Sequence, residues 1–303
     1  MAKTYNSPPA FRTALNQAAR RISKDTGMSV GELQRIFYFN RLSARVFTHD
    51  PQGWLIKGGQ ALLVRYQGAA RLSGDIDLQA ASPDLTPEHA RHRLLDAAAL
   101  DLKDFLRYAP TKYTTSSDEE RGGSQSFQVY LGTTHVDTVK VDIAVSRSLT
   151  GAPETRSLKP AIDVPWPVDW PEVRLYPVVD HLTDKICALY ERHGQDASNR
   201  YRDLADLLLM SQQEFVRGQD TCRALRNEAE RRRSVGIDLT LPERFEPPGP
   251  QWEANYPAAA ALVLGLEGCR TFLEASEAAS VFLNPLLDGT ASGTWNPSQA
   301  AWQ

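Results

Sequence analysis

Two aspartates separated by one residue, in Asp75-Ile76-Asp77-Leu78, are the side chains best placed to do chemistry. The segment alternates as a strand does. Side chains two apart in a strand share a face, so both carboxylates point the same way, roughly 7 Å apart. Carboxylate oxygens are the ligands a hard cation such as Mg²⁺ takes, and such an ion serves displacement at phosphorus by bridging phosphate oxygens and the attacking group. A third carboxylate on a neighbouring strand would complete the site, and Asp142, in the apolar run Val139-Lys140-Val141-Asp142-Ile143, is the candidate. Upstream, Lys57-Gly58-Gly59-Gln60 lies between a short apolar strand and a helix. Glycines there let the backbone approach a triphosphate closely, and the new helix offers unpaired N–H groups and the positive end of its dipole. Alone, the paired aspartates read as a solvated edge strand and the glycines as an ordinary turn. In this order they support one another as a site for a metal-bound nucleotide.

The elements that must position these residues follow from periodicity. Apolar spacing from Phe11 to Phe47 predicts two helices broken around Gly27, the second capped by Ser29. A strand is expected at Trp54–Ile56, a helix at Gln60–Tyr66 and a strand at Asp75–Leu78. Thr86 caps a helix expected over Pro87–Leu106. Ser126–Leu131 and Val139–Val145 read as a hairpin, and residues 149–174 as a connector. Helices are then expected at Val179–Tyr190, Tyr201–Met210, Glu214–Arg233, Tyr256–Leu264 and Ala275–Leu283. An α+β front half thus precedes an all-helical back half.

Several charged residues carry two readings. Asp142 could pair with Lys140 or Arg147 rather than hold a metal; its apolar strand favours the metal. Lys140, on the same face, is equally a nucleotide contact or a salt bridge. Arg71 reads as a phosphate clamp ahead of an ordinary loop arginine. Lys185 lies beside the stripe Leu182, Ile186 and Leu189, where a lysine needs a partner. Asp203 and Asp206 share a helical face and could instead pair with Arg200 or Arg202. The basic residues Arg223, Arg226, Arg231, Arg232 and Arg233, and separately Arg12, Arg20, Arg21 and Lys24, are the candidates for an RNA backbone surface, with a solvated face as the plainer alternative.

With a net charge of −3 the chain carries no global basicity, so any nucleic-acid contact must rest on a local patch. Three scattered cysteines without a Cys-x-x-Cys pair suit a reducing compartment. No apolar run reaches membrane-spanning length and the N-terminus lacks the apolar core of a leader, so a cytoplasmic protein is expected.

Lys57-Gly58-Gly59-Gln60-Ala61-Leu62 followed by Arg71-Leu72-Ser73-Gly74-Asp75-Ile76-Asp77-Leu78 resembles the signature of the AbiEii/AbiGii toxin-type nucleotidyltransferases, within the polymerase-β superfamily. Asp180-His181-Leu182-Thr183-Asp184-Lys185 resembles that family's lysine-bearing helix, and Arg202-Asp203-Leu204-Ala205-Asp206-Leu207 its R-D-L-x-D-L box. The order of these segments is closest in character to the MenT toxins of mycobacteria. The resemblance implies a polymerase-β-like domain with a mixed sheet and N-terminal helices over residues 1–160 and an all-helical C-terminal domain over 161–303. It implies an NTP-dependent enzyme whose Asp75, Asp77 and Asp142 hold Mg²⁺, with Lys57, Gly58, Gly59, Arg71, Lys140 and Asp203 around the nucleotide. Lys185 would contact the triphosphate and Asp206 would complete the site from the helical half. Ser73 corresponds to a serine that antitoxins phosphorylate in some relatives; a phosphate there would set about two negative charges beside the metal carboxylates and block NTP entry. Some relatives add nucleotides to the 3′ end of tRNA, so tRNA and a cognate antitoxin are the implied partners. Gln60 departs from the pattern, since many relatives carry Ser or Thr there, and a hydroxyl contact to phosphate is therefore lost or replaced by an amide. The resemblance leaves two rivals: nucleotidylation of a protein or of a small molecule such as an antibiotic, and a non-catalytic nucleotide-binding interaction module.

Overall fold

The structure, a computed structural model, describes residues 5–115, 122–145, 148–164, 170–192 and 197–303. Arg147, one of the alternative partners for Asp142, lies outside the described residues. The chain divides into two compact units: residues 1–65, 72–148 and 153–176 form one, and residues 66–71, 149–152 and 177–303 the other.

In the first unit, α1 (Pro8–Thr26) and α2 (Val30–His49) are separated where expected. Gly27 takes a left-handed φ of 75° and its N–H closes α1 on the Ser23 carbonyl. Ser29 and Glu32 exchange side chain-to-backbone hydrogen bonds in a capping box that starts α2. Then follow β1 (Trp54–Lys57), α3 (Gly58–Tyr66), β2 (Ile76–Ala80), α4 (Pro87–Ala98), β3 (Leu106–Thr115), β4 (Gly123–Leu131), β5 (Thr134–Ala144), β6 (Glu154–Ser157) and β7 (Glu172–Leu175). The seven strands form one mixed sheet in the order β3-β4-β5-β2-β1-β7-β6, with β2–β5 and β1–β7 parallel. One sheet face carries Trp54, Ile56, Ile76, Leu78, Phe127 and Val141, all buried in a core they share with Phe11, Phe37, Leu42 and Leu94 of the helices. Alternation along the strands therefore turns Lys57, Asp77, Asp142 and Ser124 to the opposite face.

Three features of this unit differ from the sequence reading. The helix expected to reach Leu106 ends at Ala98, and Leu106–Thr115 forms edge strand β3 instead. Between them Lys103 and Phe105 adopt positive φ, at 57° and 58°, so the chain reverses without a glycine to announce it. That turn delivers Asp104 into the core, where it accepts hydrogen bonds from Arg41 (2.7 Å) and from two nitrogens of Arg45 (2.9 and 2.6 Å), all three residues being fully buried. Two guanidiniums share one carboxylate, and the rings of Trp170 and Tyr108 face them at 4.8 and 4.9 Å. The connector over 149–174 also contains structure, since β6 and β7 extend the sheet beyond β1.

The second unit contains α5 (Val178–Tyr190), α6 (Tyr201–Gln213), β8 (Val216–Arg217), α7 (Gly218–Ser234), α8 (Trp252–Ala260), α9 (Phe272–Leu287), β9 (Thr294–Asn296) and β10 (Ala301–Trp302). It is mainly helical rather than all-helical. β8, β9 and β10 make a small antiparallel sheet, and the helix expected from Glu214 begins only at Gly218 because Val216 and Arg217 pair with β9. Trp295 donates to the Ser211 carbonyl at 2.7 Å, and Trp302 stacks on Phe282 at 5.9 Å. These aromatic anchors hold a tail whose strands are too short to show periodicity. No described helix is long and apolar enough to cross a membrane.

Candidate active site

Register builds the carboxylate cluster in the first unit. Lys57 of β1 pairs with Asp77 of β2, Asp77 with Asp142 of β5, and Asp142 with Ser124 of β4. Directly paired residues share a face, so these four side chains form one row across the sheet. Asp75 stands immediately before β2, one pleat from Asp77 and on the same side. Lys140 holds Asp142 at 2.8 Å, and the Ser124 hydroxyl donates to the same carboxylate. Burial draws the Lys140 ammonium down, but the hydrogen bond and charge of Asp142, joined by the charges of Asp75 and Asp77, raise it above its ordinary value. One lysine thus senses all three acids. Among the described residues, no three Asp, Glu, His or Cys side chains already converge to hold a metal ion.

The two glycines face these residues. Gly58 has φ +56°, and a Cβ there would stand 1.8 Å from Asp77 Oδ2. A Cβ on Gly59 would stand 2.9 Å from Ser73 Oγ. The close approach that requires glycine is therefore to the chain's own acid and serine, at the start of α3. An acid at a helix N-terminus is electrostatically favoured. Ser73 donates to Asp75 at 3.3 Å. Arg35 of α2 braces the same loop, donating to the Gly74 carbonyl at 2.9 Å. Lys57 is nearly buried, its ammonium 4.2 Å from the centre of the Tyr176 ring. Gln60 is fully buried, and its amide donates to Asn40 of α2 at 2.8 Å. That amide is spent inside the core rather than on the carboxylate row.

The remaining candidates gather in the second unit. Arg71 grips Asp206 with two nitrogens, at 3.1 and 2.8 Å. Lys185 lies between Asp206 and Asp203, 2.7 Å from each. Arg200 reaches Asp203 at 3.9 Å. Burial pulls Lys185 down, yet the charges of Asp203 and then Asp206 raise it overall. Burial likewise pushes Asp203 up, but the charge and hydrogen bond of Lys185 hold it below the usual carboxylate range. A lysine among buried leucines has found its partners in two aspartates of the next helix.

The arginines of α7 are engaged as well. Arg231 pairs with Glu228 at 2.6 Å, Arg223 with Asp220 at 2.5 Å, and the nearly buried Arg232 with Glu191 at 2.6 Å. Three of the five arginines of the basic run are thus ion-paired, while Arg226 and Arg233 are exposed and Arg233 donates to the Leu239 carbonyl at 3.1 Å. Sequence reading missed Ser124, Asn40 and Arg35. Ser124 was beyond hairpin counting: from the two-residue turn Gly132-Thr133 it would fall opposite Val141, and only the register shift at Val129/Tyr130 sets it opposite Asp142. Asn40 and Arg35 lie on α2 with no local signal.

Carboxylates in a row on a parallel strand pair, beside a strand–Gly-Gly–helix turn, define the class as a nucleotidyltransferase. The chain belongs to the AbiEii family: the family described as nucleotidyl transferase AbiEii toxin, type IV toxin–antitoxin system, matches residues 41–275. Among solved structures the chain is similar to MenT4, a nucleotidyltransferase toxin from Mycobacterium tuberculosis, at 14% identity and a TM-score of 0.52, covering 85% of this chain and 93% of that one. It is also similar to an antigenic nucleotidyltransferase-like protein from Paracoccidioides brasiliensis, at 17% identity and a TM-score of 0.39, over 69% of this chain and 92% of that one. No curated protein matches.

Proposed function

We propose that the protein is a Mg²⁺-dependent toxin that transfers a nucleoside monophosphate from an NTP to the 3′ end of tRNA, acting in the cytoplasm and restrained by a cognate antitoxin. The observation that carries this reading is the cross-sheet row Lys57, Asp77, Asp142, with Asp75 one pleat away and Gly58 leaving room for the Asp77 carboxylate. The donor set suits Mg²⁺: it is all oxygen and half-buried, and Mg²⁺ commonly takes one or two carboxylates and completes its shell with water and substrate phosphates. Asp75 and Asp77 would hold the ion, with Asp142 as the third acid. When bound, the metal would neutralise charge on the triphosphate and orient the attacking oxygen. Lys57, the start of α3 at Gly58 and Gly59, and Lys140 would supply positive potential for the phosphates. Ser73 would lie beside the metal carboxylates, where a phosphate would close the site. Lys185, Arg71, Asp203 and Asp206 would contact the nucleotide, as the family resemblance implies. Modification of protein or of a small molecule remains the rival within the same chemistry.

The test is incubation of the protein with Mg²⁺ and each α-labelled NTP against separate pools of tRNA, cellular protein and aminoglycosides. Label on tRNA is expected. Label confined to protein or antibiotic would remove the tRNA reading and keep the enzyme; no NTP consumption in any pool would leave a nucleotide-binding module.

A further inference from the structure

The carboxylate row occupies one end of a polar sheet face that continues away from it along β3, β4 and β5. Six residues along β4 from Ser124, which pairs with Asp142, stands Tyr130. That is about 20 Å at the strand rise. Tyr130 pairs across the strands with Arg107 on one side and His135 on the other. The Arg107 guanidinium lies 4.3 Å over the Tyr130 ring, His135 meets that ring edge-on at 5.6 Å, and the Tyr130 hydroxyl donates to Gln128 at 2.6 Å. Arg107, Gln128, His135, Thr138 and Lys140 are all exposed. Between the row and Tyr130 the face offers hydroxyls, amides and cations. The one carboxylate on this stretch of β5, Asp137, pairs with Val129 on the other face and binds Arg35.

We propose that this face is the track for the acceptor: a single-stranded RNA 3′ tail lies along β4 and β5 towards Asp142, with a base stacked on the Arg107–Tyr130 plate. The inference rests on the tRNA reading above and names the surface that would serve it. Three properties fit that occupant. An arginine plane on a tyrosine ring is a stacking surface for any base. The exposed Arg107 attracts a phosphate chain, and Lys140, though bridged to Asp142, adds charge at the end of the track, whereas Arg223, Arg231 and Arg232 of α7 are paired with acids. The track also leads directly into the acids where transfer would occur, so a tail lying on it presents its end to the site.

The experiment compares wild type, Tyr130→Ala, Tyr130→Phe, Arg107→Ala and Arg107→Lys. It reads the KM for tRNA, the KM for NTP and kcat, alongside direct binding of a fluorescent single-stranded oligoribonucleotide at two salt concentrations. These side chains lie on the solvent face, and melting curves check that each variant is folded. Tyr130→Ala and Arg107→Ala are expected to raise the tRNA KM and weaken oligonucleotide binding by about tenfold each, the scale of one lost base stack. KM for NTP and kcat should stay within about twofold. Tyr130→Phe should behave as wild type, while Arg107→Lys, which keeps the charge and loses the plane, should recover only part of the loss. If wild type labels tRNA and every variant keeps the wild-type KM and binding, the track is wrong and the function stands. If wild type labels no RNA, the function fails and takes this occupant with it.

Discussion

At Gly58 a methyl group would collide with Asp77 Oδ2, and the backbone is already left-handed, a conformation that costs an L-residue about 1 kcal/mol or more. At Gly59 the added atom would press on Ser73 Oγ at 2.9 Å and Cβ at 3.1 Å, a milder clash on a backbone that is not left-handed. The two glycines therefore differ in a measurable way. Gly58→Ala is expected to displace the Asp77 carboxylate and lower kcat at least about tenfold while costing only about 1–2 kcal/mol of stability. Gly59→Ala should lower kcat by less. Steady-state kinetics with melting curves on both variants check this, and equal losses would contradict the distinct role of Gly58. The paired acids and the glycines were legible as letters in the sequence. The mutual approach of Gly58 to Asp77 was not, because it depends on β1 and β2 pairing antiparallel in one register.

Elements follow the same division between local and distant causes. Caps were readable: Ser29 with Glu32, and Thr86 before Pro87, each satisfy a helix start within four residues. Edge strand β3 was not, since it depends on Asp104 reaching two arginines some sixty residues earlier in the chain. Burial pushes the Asp104 carboxyl up, but Arg45 and Arg41 hold it below its ordinary value. Asp104→Ala would leave two buried guanidiniums without their anion, at a cost of about 3–5 kcal/mol. For a domain of this size that corresponds to a fall in Tm on the order of 10 °C, readable by calorimetry. A change below about 2 °C would deny the ion triad its structural weight.

In the second unit the depressed Asp203 carboxyl gives an acid limb to stability. Its contribution is full above the unfolded value near ~4 and is lost as pH falls through the lower folded value. Asp203→Asn should therefore flatten the stability profile below about pH 4 relative to wild type, measured by chemical denaturation at stepped pH. An unchanged acid limb would place the titrating group elsewhere. The mainly helical character of this unit was legible from 3.6-residue spacing. Its three-stranded sheet was not, because two- and three-residue strands carry no period and are held by Trp295 and Trp302.

Over the whole chain, modest net charge and few cysteines narrowed the class only loosely; motif order pointed to the family, whose match over residues 41–275 includes those segments. The claim to test at this scale is that the acids on the sheet face carry metal-dependent transfer. Asp77→Asn is the sharpest probe, since the amide keeps the shape that Gly58 accommodates and removes the charge. Transfer of label from NTP to tRNA, titrated with Mg²⁺ for wild type and Asp77→Asn at matched folding, should show saturable Mg²⁺ dependence in wild type and a loss of at least about a hundredfold in the variant. Transfer by Asp77→Asn at the wild-type rate, with the same Mg²⁺ curve, would contradict the account.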